Sequence, residues 1–256
     1  MSINHFEKTK KYYADWLDIP VEQLDVKGIS LIETPQRRIC PKGHPKNLEL
    51  YCVAFTDSLY ISFSPELDNE INFSEVYKNI SDTADGVSKL NTIFPEKLKH
   101  RKAHYFTELP KDIETSNVVM LRKENYEDYL SFFVTQHPNA SPDGWLLDYF
   151  KKLVENNRCF GVFKDNILVC VTGAPDIPFM EGIITEPGID TLANYRGKGY
   201  AKAACAKYLA IALMQNETPI WTCWHNNTAS YKLAEKLGYK YFCDLYTIEG
   251  VKSYSE

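Results

Sequence analysis

The sequence predicts an α/β protein (α+β in arrangement), with an N-terminal lobe over residues 1–110 and a larger domain over residues 117–250. Three observations support this prediction. Apolar runs of strand length alternate with one-faced helical patterns along the second half of the chain. The stretch ELPKDIETSN, near 108–117, separates an aromatic segment from a new apolar run, as a domain boundary would. Of the 256 residues, 44% are hydrophobic and 25% charged, which is ordinary for a globular protein.

The first half has the pattern of a small α/β lobe. Tyr12, Tyr13, Trp16 and Leu17 share one face of a predicted first helix. The runs LELYCVAF and SLYISFS, on either side of a short polar turn, predict a β-hairpin. Because nearly half of the chain lies here, we expect this lobe to help complete the binding site of the second domain.

The second half predicts helices and strands in a clear order. The helix that starts at Ser141 is expected to have this residue as its N-cap and Pro142 in its first turn. The predicted elements are a strand at Val118–Leu121, a helix at Tyr126–Phe133, the helix from Ser141, a hairpin of Cys159–Lys164 and Ile167–Thr172 with its two-residue turn at Asp165–Asn166, a strand ending at Thr191 or Leu192, a helix over Ala201–Leu213, a strand at Ile220–Trp224, a helix at Thr228–Leu237 and a last strand at Tyr239–Tyr246.

Charge and composition exclude several classes of protein. The formal net charge is -5, which disfavours a nucleic-acid binder because such proteins present a basic face. No run approaches the ~20 apolar residues of a membrane span, and the N-terminus lacks a signal-peptide pattern, so we expect a cytoplasmic protein. The seven cysteines form no CxxC pair, which predicts free thiols and no metal site.

A glycine-containing loop between a strand and a helix predicts an anion site. Gly197 and Gly199 permit a close backbone approach, and the following helix presents unpaired N–H groups and the positive end of its dipole. Arg196 and Lys198 add cationic donors. We therefore expect a ligand that carries phosphates.

Two other phosphate-binding motifs do not fit this loop. A Walker motif needs Ser or Thr where Gly199 follows the Gly-Lys pair. A dinucleotide fingerprint needs a small residue at Lys202, and its acidic residue should end the next strand, which Glu217 precedes instead. A nicotinamide-dependent oxidoreductase is therefore disfavoured.

A second motif follows the next strand. The letters RxxGxA (Arg196, Gly199, Ala201) and then NxxSxxLxxKLGY (Asn227 to Tyr239) resemble the two acetyl-coenzyme A motifs of GNAT-superfamily N-acetyltransferases. With the preceding IDTLANYRGKGYA, the pattern resembles the subgroup of zwittermicin A resistance acetyltransferases. The resemblance implies a mixed sheet, flanked by helices, that is splayed open between the strand ending at Leu192 and the strand at Ile220–Trp224.

The resemblance also implies a cosubstrate, acetyl-CoA, and the residues that bind it. The pantetheine arm would lie in the splay, pairing with backbone groups of 191–193, and the pyrophosphate would lie on the 196–201 loop. The expected binding residues are Thr191, Leu192, Ala193, Arg196, Gly197, Lys198, Gly199, Tyr200, Ala201, Asn227 and Ser230.

An acceptor amine must lose a proton, so a carboxylate or a water path is expected beside the splayed strand. Glu186 is the candidate base, because it precedes a Pro-Gly pair that predicts a β-bulge. Asp190 is the rival. The tyrosine that protonates the departing thiolate in many GNAT enzymes is replaced by Ala234.

Other residues that could be functional are more simply structural. His225 and Cys223 lie at or in a predicted strand. Two groups of aromatic residues have helical or strand spacing that is typical of a core, namely Trp145, Tyr149 and Phe150, and Trp221 and Trp224.

These features predict an enzyme that transfers an acetyl group from acetyl-CoA to a primary amine of a small molecule by direct attack. The alternative is a catalytically inactive protein that binds or senses acyl-CoA. The sequence names no acceptor, although its negative charge weakly favours a cationic one. It predicts neither a nucleic-acid nor a membrane partner and leaves a homo-oligomer open.

Overall fold

The strands of the chain form two sheets. A computed structural model describes residues 4–174 and 176–250. The strands are β1 (Gly28–Glu33), β2 (Leu48–Ala54), β3 (Ser58–Phe63), β4 (Lys99–Phe106), β5 (Val118–Met120), β6 (Phe160–Lys164), β7 (Ile167–Gly173), β8 (Ile184–Thr185), β9 (Gly188–Thr191), β10 (Thr218–Trp224) and β11 (Tyr239–Glu249). The helices are α1 (His5–Leu17), α2 (Pro65–Ile71), α3 (Phe73–Tyr77), α4 (Thr83–Ile93), α5 (Tyr126–Gln136), α6 (Leu146–Glu155), α7 (Tyr200–Met214) and α8 (Thr228–Lys236).

Strand pairing joins the two halves of the sequence. The larger sheet has the order β1-β3-β2-β11-β4-β10-β8, and the smaller sheet has the order β5-β6-β7-β9. Strand β4, from the first half, lies between β10 and β11 and is antiparallel to both. Strand β11, from the end of the described chain, lies between β4 and β2. The sheet therefore crosses the boundary near 108–117, and separate domains over 1–110 and 117–250 stay a prediction.

The first helix and the hairpin of the first half are confirmed. Tyr13 and Leu17, on the predicted apolar face of α1, are fully buried. Strands β2 and β3 pair in antiparallel fashion over the predicted segments. Along β2, Tyr51 and Val53 pack with α1, whereas Leu50 and Cys52 pack with α2 to α4 on the opposite face.

The helices α7 and α8 cover the face of β10 that points away from α1. Trp221 and Cys223 belong to the same apolar cluster as residues of α7 and α8, whereas Ile220 belongs to the cluster of α1. This alternation follows from the twofold period of a strand. Residues of β6 and β7 also join the α7 cluster, so α7 packs against both sheets.

The order of elements predicted for the second half is confirmed, with one clear error. Helix α6 begins at Leu146 and not at Ser141. Gly144 has a φ of +81°, which breaks the helical path before Leu146, and the Ser141 hydroxyl instead accepts the N–H of Asp143 in a turn. The Asp165–Asn166 hairpin turn is confirmed by the positive φ of both residues.

Among the described residues, no helix has the length and apolar character needed to cross a bilayer. The expectation of a cytoplasmic location stays a prediction.

Candidate functional site

The two sheets separate at one point in the chain. Strand β8 pairs in parallel with the first residues of β10, through Thr185 opposite Pro219. After Glu186 and Pro187 the chain leaves this partner, and β9 pairs with β7 in the smaller sheet instead. A gap therefore opens between β9 and the second half of β10. The splayed sheet predicted from the motifs is confirmed, but the Pro-Gly pair marks a change of sheet and not a bulge within one strand.

Glu186 lies at the point where the sheets separate. Its Oε1 accepts hydrogen bonds from the backbone N–H and from the hydroxyl of Thr222, each at 2.6 Å. The carboxylate thus satisfies a backbone donor on the edge of β10 that β9 has left without a partner strand. Burial raises the pKa of Glu186 above its ordinary value, and the bonds from Thr222 and the charge of Arg101 oppose that rise.

A cavity of about 520 Å³ passes along Glu186. On the α1 side of the larger sheet its wall includes Tyr12, Trp16 and Arg101. Its wall also includes Trp221 and Ser230, which belong to the side of α7 and α8. The cavity therefore has walls on both faces of the larger sheet, and the gap beside Glu186 connects the two sides.

The loop after β9 has the backbone of an anion cradle. Gly197 and Gly199 have φ values of +75° and +84°, and a side chain added at either would meet no atom within 4 Å. The first hydrogen bond of α7 runs from the N–H of Ala203 to the carbonyl of Gly199. The N–H groups of Tyr200, Ala201 and Lys202 therefore have no acceptor inside the helix.

The two cations of this loop are held by neighbouring groups. The Nε–H of Arg196 donates to the carbonyl of Thr191 at 3.0 Å, and Lys198 lies with its Nζ 5.0 Å from the ring centre of Tyr195. Both side chains belong to exposed residues at the end of the gap. They add positive charge beside the free N–H groups of α7.

The backbone of β9 offers some, but not all, of the groups expected to bind a ligand. Leu192 donates its N–H to the carbonyl of Val169 in β7, so this group is already used. Because alternate residues of a ladder face opposite neighbours, the backbone groups of Ile189 and Thr191 point into the gap, where the Thr191 carbonyl already accepts one hydrogen bond, from Arg196. Ala193 begins a short 3₁₀ turn that ends at Tyr195.

Asn227 and Ser230 lie together at the start of α8. The side-chain oxygen of Asn227 caps this helix by accepting the N–H of Ser230 at 3.1 Å. The hydroxyl of Ser230 accepts a hydrogen bond from the indole N–H of Trp221 at 3.0 Å and lines the cavity. The structure thus places Ser230 in the cavity wall and gives Asn227 a structural role in the same turn.

Asp190, the rival base, points away from the cavity. Its neighbours are Gln136, at 3.4 Å, and His137, at 3.8 Å, on α5. Burial raises its pKa, while the His137 charge and the Gln136 hydrogen bond oppose the rise. Asp190 is not among the residues of the cavity wall, whereas Glu186 is.

The contacts of the remaining candidate residues, His225, Cys223 and the aromatic groups, point to structural roles. The ring of His225 stacks on His100 at 4.4 Å between centres. Cys223 is buried against α7, and burial raises the pKa of its thiol, which makes it a poor nucleophile. Of the aromatic residues expected in a core, Phe150 is 1% exposed and packs on Tyr129. That expectation is wrong for Trp145 and Trp224, which are 46% and 42% exposed.

Several cavity residues carry no signal in the sequence motifs. Tyr12, Trp16, His44 and Arg101 all come from the first half of the chain. Only the insertion of β4 between β10 and β11 brings Arg101 beside the gap, and this pairing has no local sequence signature. The burial of Tyr12 and Trp16 on one helix face was predictable, but the cavity beneath them was not.

The comparisons with known proteins agree with this geometry. Residues 147–248 match the model of the GNAT acetyltransferase family. A GNAT-family acetyltransferase from Colwellia psychrerythraea superposes with a TM-score of 0.54 at 16% identity, over 74% of this chain and 76% of that one. A GCN5-related N-acetyltransferase from Sphaerobacter thermophilus gives a TM-score of 0.51 at 10% identity, over 66% of this chain and 57% of that one. No curated protein sequence matches the chain.

Identities this low show the fold alone. The shared fold is a mixed α/β structure with a splayed sheet flanked by helices. The family model covers the segment that contains Glu186, the glycine loop and the start of α8. Over residues 147–248, the chain is similar to the GNAT acetyltransferase family.

Proposed function

We propose that the protein transfers the acetyl group of acetyl-CoA to a primary amine of a small molecule by direct attack, with Glu186 as the general base. The observation that carries this proposal is the position of Glu186 in a cavity that is lined from both faces of the sheet at the split. A donor can approach from the side of α7 and α8 while an amine approaches from the side of α1. The likeness to the zwittermicin A resistance subgroup is part of the proposal and rests on the motif letters alone.

The residues of the loop fit the phosphates of acetyl-CoA. The open space above Gly197 and Gly199 leaves room for a group larger than a methyl, and the free N–H groups at the start of α7 are donors for phosphate oxygens. Arg196 and Lys198 would neutralise part of the phosphate charge. The inward-facing backbone of Ile189 and Thr191 would pair with the amides of the pantetheine arm, and Ser230 would lie along its other side.

Acetyl-CoA would supply a thioester as the acyl donor. The amine nitrogen forms the new bond to the carbonyl carbon, the carbon–sulfur bond breaks, and the amine loses one proton. Glu186 is placed to take that proton, because its carboxylate lies in the gap and its raised pKa improves it as a base near neutral pH. The two bonds from Thr222 hold the carboxylate in one orientation.

The departing thiolate would take its proton from water. Ala234, where many family members have a tyrosine, is fully buried against the sheet. Tyr231 is one turn earlier and packs its ring against His104 at 5.3 Å, outside the cavity wall. A thiol with a pKa of roughly 8 to 9 is a tolerable leaving group without a dedicated acid.

The test is a panel of primary amines incubated with acetyl-CoA and the purified protein, with release of free thiol and the mass of the product as readouts. Turnover with formation of an N-acetyl product supports the proposal. Binding of acetyl-CoA by calorimetry without turnover of any amine would instead support an acyl-CoA sensor.

A further inference from the structure

We infer that the acceptor is an amine that also carries a compact anionic group, a carboxylate or a phosphate, and that Arg101 binds this group. The inference rests on the proposed function, because it takes the Glu186 side of the cavity as the place of the amine. It goes beyond that function by assigning a substrate class and a specificity residue.

The charges of the cavity wall leave Arg101 without a carboxylate partner. Lys99 forms an ion pair with Glu249, and Asp176 forms one with Lys152 at 2.5 Å. Among the described residues, Arg101 has no side-chain hydrogen bond and no carboxylate within ion-pair distance. A guanidinium that is partly buried and unpaired is costly unless a ligand supplies the missing acceptor.

The position of Arg101 is fixed by its strand and by one aromatic contact. Its guanidinium carbon lies 4.6 Å from the ring centre of Trp224, which is the residue directly opposite on β10. A guanidinium that lies over an aromatic ring can still donate hydrogen bonds from its N–H groups. Such an edge matches the two oxygens of a carboxylate or a phosphate.

The register between β4 and β10 places the cation near the base. Thr222, which holds Glu186, is opposite Ala103, and Arg101 is two residues further along the same face. Diagonal neighbours of this kind are roughly 7 to 8 Å apart at Cα. An acceptor whose nitrogen reaches Glu186 can therefore place an anionic group a few bonds away on Arg101.

This local arrangement outweighs the net charge of the chain as a guide to the acceptor. The value of -5 favours a cationic molecule at long range. In the cavity, however, the Arg101 guanidinium and the Glu186 carboxylate both line the wall without forming an ion pair with each other, so a zwitterionic amine complements both.

The first experiment measures binding of matched probe pairs without any chemistry. Glycine, β-alanine and 4-aminobutanoate are each compared with the corresponding carboxamide, and 2-aminoethyl phosphate is compared with ethanolamine. Calorimetry with the full-length protein saturated with coenzyme A should give at least about tenfold tighter binding of the anionic member in one or more pairs. The carboxylate and phosphate pairs show which oxyanion is preferred.

The second experiment assigns the preference to Arg101. Arg101→Gln should reduce the preference for the anionic member to within about twofold, and Arg101→Lys should retain part of it because the charge remains but the planar fork does not. Arg122→Gln, which removes an exposed arginine outside the cavity wall, is the matched control and should keep the full preference. Circular dichroism and thermal unfolding establish that each variant is folded.

The inference is overturned if the wild-type protein shows no preference for the anionic member of any pair, including the case in which no probe binds. It is also overturned if folded Arg101→Gln and Arg101→Lys both keep the wild-type preference. Failure of acetyl transfer with an intact binding preference would contradict the proposed function and leave the anion site standing. The two failures are therefore separable.

Discussion

The Glu186 carboxylate is bound twice by one residue, through the backbone N–H and the hydroxyl of Thr222, both at 2.6 Å. The backbone bond replaces the strand-to-strand bond that the split removes. The same contact thus stabilises the edge of β10 and fixes the base beside the gap. Structure and proposed chemistry depend here on one carboxylate.

The first prediction concerns turnover. In Glu186→Gln the amide oxygen can still accept the hydrogen bonds from Thr222, but the side chain can no longer act as a base. We expect kcat to fall by roughly 10²- to 10⁴-fold at neutral pH, while acetyl-CoA binds as in the wild type. Steady-state kinetics and calorimetry measure these two quantities.

Asp190→Asn is the matched control for this variant, because Asp190 is a carboxylate on the same chain segment that points to His137 instead of the cavity. It should retain most of the wild-type rate. If Asp190→Asn lost activity and Glu186→Gln did not, the assignment of the base would be reversed.

The second prediction concerns stability and pH. Burial raises the pKa of Glu186 in the folded state, so the folded protein holds this proton more tightly than the unfolded chain does. The stability contributed by the group is complete below the ordinary pKa of about 4.3 and is lost as pH rises through the raised pKa. Glu186→Gln stays neutral, so we expect its melting temperature to exceed that of the wild type near pH 7.5.

The difference in melting temperature should shrink towards zero near pH 4, where both side chains are neutral. Thermal unfolding of the two proteins across this range, without ligand, is the measurement. A variant that melts below the wild type at pH 7.5 would show that the carboxylate charge is stabilising and that its pKa is not raised.

The third prediction concerns the phosphate loop. In Gly199→Val a β-branched side chain enters the space where the phosphates are expected, and it also strains a backbone with a φ of +84°. We expect affinity for coenzyme A to fall by at least about tenfold in calorimetry, a change of ~1.4 kcal/mol.

Gly144→Val separates the two effects. Gly144 has a φ of +81° and equally open surroundings, but it precedes α6 and is remote from the loop in sequence. This variant should carry similar strain and bind coenzyme A within about twofold of the wild type. Equal losses in both variants would attribute the effect to backbone strain and would refute the cradle.

The fourth prediction concerns the leaving group. Tyr231 packs against His104, its ring lies 5.7 Å from the Nζ of Lys102, and a hydrogen bond with Glu235 raises its pKa. Tyr231→Phe should retain at least about a tenth of the wild-type rate, because loss of a true general acid costs ~10²-fold or more. A loss of that larger size in a folded variant with normal cofactor affinity would make Tyr231 the acid.

The sequence was most informative where local chemistry decides the structure. The positive φ of the Asp165–Asn166 turn, the capping of α8 by Asn227 and the glycine loop before α7 all follow from residue types at fixed spacing. The start of α6 was misplaced because Ser141 and Pro142 resemble a helix start, whereas the left-handed Gly144 has a stronger effect on the path of the chain.

Only part of the candidate site could be predicted from the sequence, and the reason is different. Glu186 and Ser230 are close to recognisable motifs, but Arg101 reaches the cavity through pairing with strands more than a hundred residues away in sequence. Such pairing depends on which strand edges are free in the whole molecule, and no local pattern around 99–106 specifies it.

The central place of β4 and β11 has a consequence for how the chain folds. Lys99 and Glu249, which pair across these strands, are separated by 150 residues. During synthesis, β2 and β4 therefore leave the ribosome before β11, the strand that pairs with both of them, has been made. Pairing over so long a sequence separation also costs loop-closure entropy. We expect ribosome-arrested chains that end before β11 to be digested rapidly by a protease, and complete chains to resist. Protection that already exists before β11 emerges would contradict this order of events. Rapid digestion of the shorter chains would show that the cavity beside Glu186, whose wall includes Leu245 and Thr247 of β11, forms only after this strand has been made.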